Sequence, residues 1–263
     1  MDSDDLLNFN PPNSLSMFFN KIYEQGDFPV PPIPVPRWKR LSDVSVVLLA
    51  TPILLPLMVA VAVLVRMVSK GPILFRQERV GYLGRRFMCF KFRTMFVNAD
   101  TAVHQGHLDH LMDSDAPLVK MDAKGDPRII PFGRLLRATG LDELPQLVNV
   151  LRGEMSLVGP RPCLPYEYNK YQRWQKERFN SLPGLTGLWQ VGGKNKTTFI
   201  EMICLDIRYA RTRTLWLDLK ILLKTFPAIV VQVLEFREAR KRKSFSHLDA
   251  SPASSLSRGA VRQ

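Results

Sequence analysis

VSVVLLATPILLPLMVAVAVLV, residues Val44 to Val65, carries no charged side chain. About 20 consecutive apolar residues suffice to cross a bilayer as a helix, so length alone permits a simple span. Two features point elsewhere. Pro52 and Pro56 fall near the middle, and each proline removes a backbone hydrogen bond and crowds the preceding turn. Basic residues also stand at both ends, Arg37, Lys39 and Arg40 before the run and Arg66 and Lys70 after it; positively charged flanks stay on the cytoplasmic side. A re-entrant helix–break–helix hairpin meets both constraints, provided that protein or a polar side chain such as Thr51 takes up the freed carbonyls. The break is expected at Thr51, Pro52 or Pro56. A straight transmembrane helix is the competing reading, and a buried core helix a further one.

Outward from this segment the chain divides into four parts. Residues 1–36 form a polar extension closing in FPVPPIPVP, whose prolines enforce an extended, polyproline-like spacer. The hairpin occupies 37–70 and a catalytic domain 71–236. A basic tail, 237–263, opens with REARKRK, continues Ser-rich, and is expected to be disordered. Within 71–95, short β-like runs lie between glycine-marked turns, while 98–127 reads as polar helix and loop. Helices are expected over Glu143–Leu151, Tyr166–Phe179, Phe199–Arg211 and Leu215–Phe236. The last is apolar with a sparse polar face, which suits a helix lying in the head-group layer; a core helix is the alternative. The fold class is α+β, mainly helical, monotopic, with a small β element and interfacial amphipathic helices.

Lys and Arg number 37 against 24 Asp and Glu, a net charge of +13, which favours anionic lipid head groups, phosphorylated substrates or nucleic acid as partners. Three well-separated cysteines, Cys89, Cys163 and Cys204, form no CxxC pair, arguing for a reducing compartment and against a disulfide framework or thiolate zinc site. The opening MDSDDLLNF is acidic, so no secretory signal is expected. His104, His107 and His110, near Asp109, are spaced i, i+3, i+6. At about 100° per residue each step of three falls about 60° short of a turn, so the three drift about 120° around a helix, and a solvated stretch is expected rather than a metal site.

The chemistry concentrates in RATGLDELPQLVNVLRGEMSLVGPRP, Arg137 to Pro162. Asp142 and Glu143 stand just before Pro145, which is tolerated in a first helical turn. A carboxylate there feels the positive helix end and free backbone N–H groups, so Asp142 is expected to be ionised, as a nucleophile must be. An ordinary helix cap with solvated acids is the plain alternative.

DELPQL followed by GEMSLVGPRP resembles the signature of the bacterial sugar transferases, the small monotopic polyprenyl-phosphate phosphoglycosyl transferases. GPILFRQERVG (71–81), KFRTM (91–95) and PGLTGLWQ (183–190) agree with it, in the family's order, over roughly residues 37–235. The resemblance implies that Asp142 attacks the sugar-bearing phosphate of a UDP-sugar, expelling UMP, and that the phosphosugar then passes to undecaprenyl phosphate. It implies Mg²⁺ bound at Asp142, Glu143 as general base or second metal ligand, and Arg137 and Arg161 on phosphate, with Lys91 and Arg93 as further candidates. A guanidinium's planar fork suits phosphate oxygens.

Two departures stand out. Leu55 replaces the serine that commonly precedes the family's hairpin proline, and Gly192-Gly193-Lys194 replaces Ser-Gly-Arg; lysine keeps the charge and loses the fork. Asp206 and Tyr209 match the family's DxxY, whose role does not follow from sequence. The expected place is the cytoplasmic face of the bacterial inner membrane, at the first membrane step of a surface glycan such as exopolysaccharide, capsule or O-antigen. The sugar, the pathway and the oligomeric state stay open, a homo-oligomer included. The rivals are a catalytically silent membrane scaffold of this fold and a basic, membrane-tethered nucleic-acid-binding protein. The intact acidic pair argues against the first, and the lack of any nucleic-acid motif against the second.

Overall fold

The structure, a computed structural model, describes residues 32–97, 128–192 and 197–249, scattered residues between 106 and 126, and side chains as far as 238. The histidine run, the N-terminal extension to residue 31, Gly193-Lys194 and the chain beyond 249 lie outside the described residues, as does most of 98–127. The chain is mainly helical with two small two-stranded sheets. Among the described residues one helix is long and apolar enough to cross a membrane, by length and composition.

That helix, α1 (Arg37–Val68), contains Pro52 and Pro56 without interruption. The break expected there is thus not a gap in the helical backbone. Thr51 does not take up the carbonyl freed by Pro52, that of Leu48. Its Oγ1 donates to Val47 O at 2.7 Å, one residue earlier, a back-bond that often bends a helix. Val47, Val61 and Val65 are buried, whereas Leu48, Leu49, Ile53 and Met67 are exposed. Both ends are tied to the same domain. Near the start, Asp43 Oδ1 accepts from Ser156 Oγ and Leu157 N–H, both at 3.0 Å, and Arg40 donates to the carbonyls of Val150 and Leu151. At the far end, Arg93 holds the carbonyls of Ser69 and Lys70.

β1 (Leu74–Val80) and β2 (Arg86–Phe92) form an antiparallel hairpin running from Leu74↔Phe92 to Val80↔Arg86, in the segment where short β-like runs between glycine-marked turns are expected. After α2 (Gly133–Thr139) and α3 (Gln146–Arg152) comes β3 (Ser156–Val158), parallel to β4 (Gly184–Thr186). The two backbones approach closely: a Cβ added at Gly159 would stand 2.1 Å from Leu182 O.

The helix expected over Tyr166–Phe179 is two pieces, α4 (Pro165–Lys170) and a 3₁₀ stretch (Trp174–Asn180). Tyr171 is extended (φ −65°, ψ 132°), because its ring packs in the core against Phe179 and Phe199. After the short α5 (Leu188–Val191), α6 (Phe199–Thr212) starts at a capping box, Thr198 with Glu201. It buries Met202, Ile203 and Ile207 in that core beside Trp174, Trp189, Leu217 and Ile221. α7 (Leu215–Asp249) continues past Phe236, so the start of the expected tail is helical. It exposes Trp216, Leu223, Phe226 and Leu234. Ahead of α1, the backbone at residues 33–34 is held by Tyr82 Oη on Ile33 O and by Arg213 on Ile33 O and Pro34 O.

Candidate active site

The acidic pair does not open a helix. α2 ends at Gly140, left-handed at φ 73°, and Leu141–Glu143 forms its own 3₁₀ turn. Pro145 caps α3, which begins at Gln146 rather than Glu143. Asp142 is only 7% exposed, and Glu143 accepts from Lys91 Nζ at 2.7 Å. Asn149, fully buried on α3, fixes this pairing. Its amide donates to Met88 O (2.7 Å) and Glu154 Oε2 (2.6 Å), and its oxygen accepts from Phe90 N–H (3.2 Å). It thereby clamps α3 to the edge of β2, one residue before Lys91.

Pro160 to Cys163 is held by four consecutive carbonyls. Pro160 O accepts from Gly184 N–H (2.8 Å), Arg161 O from Arg178 Nη2 (2.9 Å), Pro162 O from Arg79 Nη1 (3.1 Å) and Cys163 O from Val80 N–H (2.9 Å). The backbone is fixed while the Arg161 guanidinium stays unengaged among the described residues. The DxxY motif buttresses the same segment. Asp206 pairs with Arg178 at 2.5 Å, and Tyr209 Oη contacts Val158 O (3.0 Å) and Asp218 Oδ1 (2.7 Å). Burial pushes Asp206 up to about 6, against the pull of Arg178.

Glu143, Lys91 and Arg161 line one cleft, together with Arg79, Gln146 and Gln190, which sequence reading did not single out. Asp142 adjoins it as the neighbour of Glu143. Two expected phosphate ligands are not part of the lining. Arg93 is buried against α1, with Nη1 on Lys70 O (2.9 Å) and Nη2 on Ser69 O (2.8 Å). Both terminal nitrogens of its fork are thus engaged on main chain. Arg137, on α2, lies near enough to Asp126 to help lower its pKa. An arginine in an extended run reads as solvated; only the long-range contact of β1 with Pro162 buries Arg79, so no local signal marked it.

The cysteines are buried free thiols, with burial pushing Cys163 up to about 12 and Cys204 to about 11. Asp109 pairs with Lys170 at 2.6 Å. Among the described residues no group of three or more His, Cys, Asp and Glu side chains could hold a metal ion.

Residues 35–232 match the family model described as bacterial sugar transferase. The exopolysaccharide production protein ExoY of Sinorhizobium fredii is 38% identical over 191 residues, 73% of this chain and 84% of that protein. The UDP-glucose:undecaprenyl-phosphate glucose-1-phosphate transferase of Caulobacter vibrioides is 40% identical over 210 residues, 77% of this chain and 73% of its own. The undecaprenyl-phosphate galactose phosphotransferase of Salmonella typhimurium is 41% identical over 166 residues, 61% of this chain but 34% of that longer protein.

Proposed function

The chain belongs to the bacterial sugar transferase family, and on that premise we propose that it moves a sugar-1-phosphate from a UDP-sugar to undecaprenyl phosphate, releasing UMP. The observation that carries this reading is the cleft itself, where Glu143 from the DELPQL block meets Arg161 from GPRP and Lys91 from KFRTM. Three sequence-distant blocks supply an acid and two cations on one wall, beside the buried Asp142.

In the proposed sequence the Asp142 carboxylate attacks the sugar-bearing phosphorus, and the bond to the UMP oxygen breaks. The resulting aspartyl phosphosugar is attacked at the same phosphorus by an oxygen of undecaprenyl phosphate, and the carboxylate leaves. Splitting one displacement into two is the usual gain of covalent catalysis. A phosphate monoester loses its second proton near pH ~6, so the acceptor arrives mostly dianionic and Glu143 takes any remaining proton. Arg161, preorganised by its four held carbonyls, offsets charge on the phosphoryl oxygens at no reorganisation cost.

Asp142 and Glu143 also fit Mg²⁺, which takes oxygen ligands and is usually held by one or two carboxylates plus substrate phosphates and water. Bound there, the ion would neutralise phosphate charge and orient the oxygens for in-line displacement. The donor sugar and the glycan the product feeds, exopolysaccharide among them, belong to the same proposal.

The anchoring of α1 supports a monotopic arrangement. Along a straight helix, Asp43 and Ser69 would be separated by about 39 Å at ~1.5 Å per residue, more than the ~30 Å hydrocarbon core. Both nonetheless bond to the same domain. A helix that enters and returns on the cytoplasmic face of the inner membrane, with its basic flanks near anionic lipids, is the arrangement this proposal takes.

The test is UMP release by the detergent-purified chain with undecaprenyl phosphate, Mg²⁺ and a panel of UDP-sugars. Lipid-dependent UMP from one donor is expected. UDP in its place would mean ordinary glycosyl transfer and would overturn the mechanism.

A further inference from the structure

Arg79 brings a full charge into the cleft wall and has no acidic partner among the described residues. It is 6% exposed. Its Nη1 donates to Pro162 O at 3.1 Å and its Nη2 to Gln77 Oε1 at 2.7 Å, two of the five N–H donors a guanidinium offers. Its Nε is buried with no partner among the described residues.

Arg93 and Arg178 also leave Nε unpartnered, but the other buried cations find compensating charge. Lys39 pairs with Asp218 and Arg178 with Asp206, each at 2.5 Å. Arg93 faces the carbonyls at the C-terminal end of α1, where the helix dipole is negative. Arg79 instead has a second cation beside it: burial, and then the Arg161 guanidinium, hold its pKa below the usual arginine value. Glu167 pulls the other way but makes no ion pair with it among the described residues. The one carboxylate on the cleft wall, Glu143, is engaged by Lys91.

Holding the Pro162 carbonyl needs only a neutral donor. A buried charge set next to a like charge is costly unless an anion compensates it. We propose that Arg79 and Arg161 form a two-guanidinium seat for a diphosphate, one guanidinium for each phosphoryl group. This rests on reading the cleft as the sugar-nucleotide site and adds to it the residue on β1 that grips the second phosphate.

Binding of inorganic pyrophosphate and of inorganic phosphate is to be measured by calorimetry on the full chain in detergent, for wild type, Arg79→Gln, Arg79→Lys and Arg93→Lys. Wild type is expected to prefer pyrophosphate. Arg79→Gln keeps a donor for the Pro162 carbonyl but loses the charge, and should weaken pyrophosphate ~10- to 100-fold. Arg79→Lys, with charge but no fork, should fall between, and Arg93→Lys should match wild type. Melting curves establish that each variant is folded; if Arg79→Gln is not, Arg79→Lys decides by its own loss of pyrophosphate preference. Unchanged pyrophosphate binding in a folded Arg79 variant, or no preference in wild type, overturns the proposal. Because binding needs no turnover, an intact seat without UMP release removes the reaction and keeps the seat, whereas UMP release with undiminished binding by Arg79→Gln does the reverse.

Discussion

Arg161 is fixed at its backbone and, among the described residues, unengaged at its side chain, while in the acid pair Glu143 is engaged by Lys91 and Asp142 is buried beside it. Asp142→Asn keeps the volume and removes the proposed nucleophile. Turnover should fall to background, ~10³-fold or more, with melting behaviour and membrane association unchanged; residual activity within tenfold of wild type would remove Asp142 from its role. A second carboxylate matters for stability. The Arg128 guanidinium, forked onto Asp126 at 2.7 to 3.1 Å, holds that carboxyl down at about 2. The unfolded group protonates near ~3.9, so the pair stabilises fully above that value and the stabilisation is lost as pH falls toward 2. Asp126→Asn should flatten the decline in melting temperature between pH 4 and pH 2; a decline parallel to wild type would show that the pair is not responsible. The acid pair, Lys91 and Arg161 were legible because each lies in a local block with its own pattern. Arg79 and Arg93 were not, because only tertiary contact decides that one faces the cleft and the other grips α1.

At the scale of elements, β3 and β4 depend on two glycines standing where no side chain fits. A Cβ at Gly159 would meet Leu182 O at 2.1 Å, and one at Gly184 would meet Gly159 N at 2.1 Å. Backbone cannot yield as a flexible side chain can. Gly159→Ala should therefore cost more than about 4 kcal/mol and lower the yield of folded protein. Gly140→Ala, at φ 73° with open space around it, should cost only ~1–2 kcal/mol for the left-handed backbone. Comparable melting temperatures for the two would contradict the close approach. The β segment was readable from its glycine-marked turns, α1 from unbroken apolarity, and α6 as a helix over nearly its full length. The break at Tyr171 was not, since core packing of its ring overrides a helical pattern. Nor was the reach of α7 to Asp249, where a basic, polar composition suggested a tail.

For the molecule as a whole, both ends of α1 are fastened to other parts of the chain, and the proposed re-entrant reading puts both on one side of the membrane. Cysteines placed at Val35 and Lys70, in a chain with its native thiols replaced, should both react with an impermeant maleimide only from the cytoplasmic side; labelling from opposite sides would mean that α1 crosses the bilayer. The start of α1 is also joined to the start of α7: Lys39 Nζ meets Asp218 at 2.5 Å across 179 residues of sequence, inside a cluster that takes in Tyr209. That distance along the chain is also a delay during synthesis. At ~5–20 residues per second, Asp218 is translated on the order of 10–35 s after Lys39. Throughout that interval a lysine destined for the interior is without the counter-ion it meets in the complete fold. A chain that stops before Asp218 therefore leaves Lys39, buried in the complete fold, without its carboxylate partner.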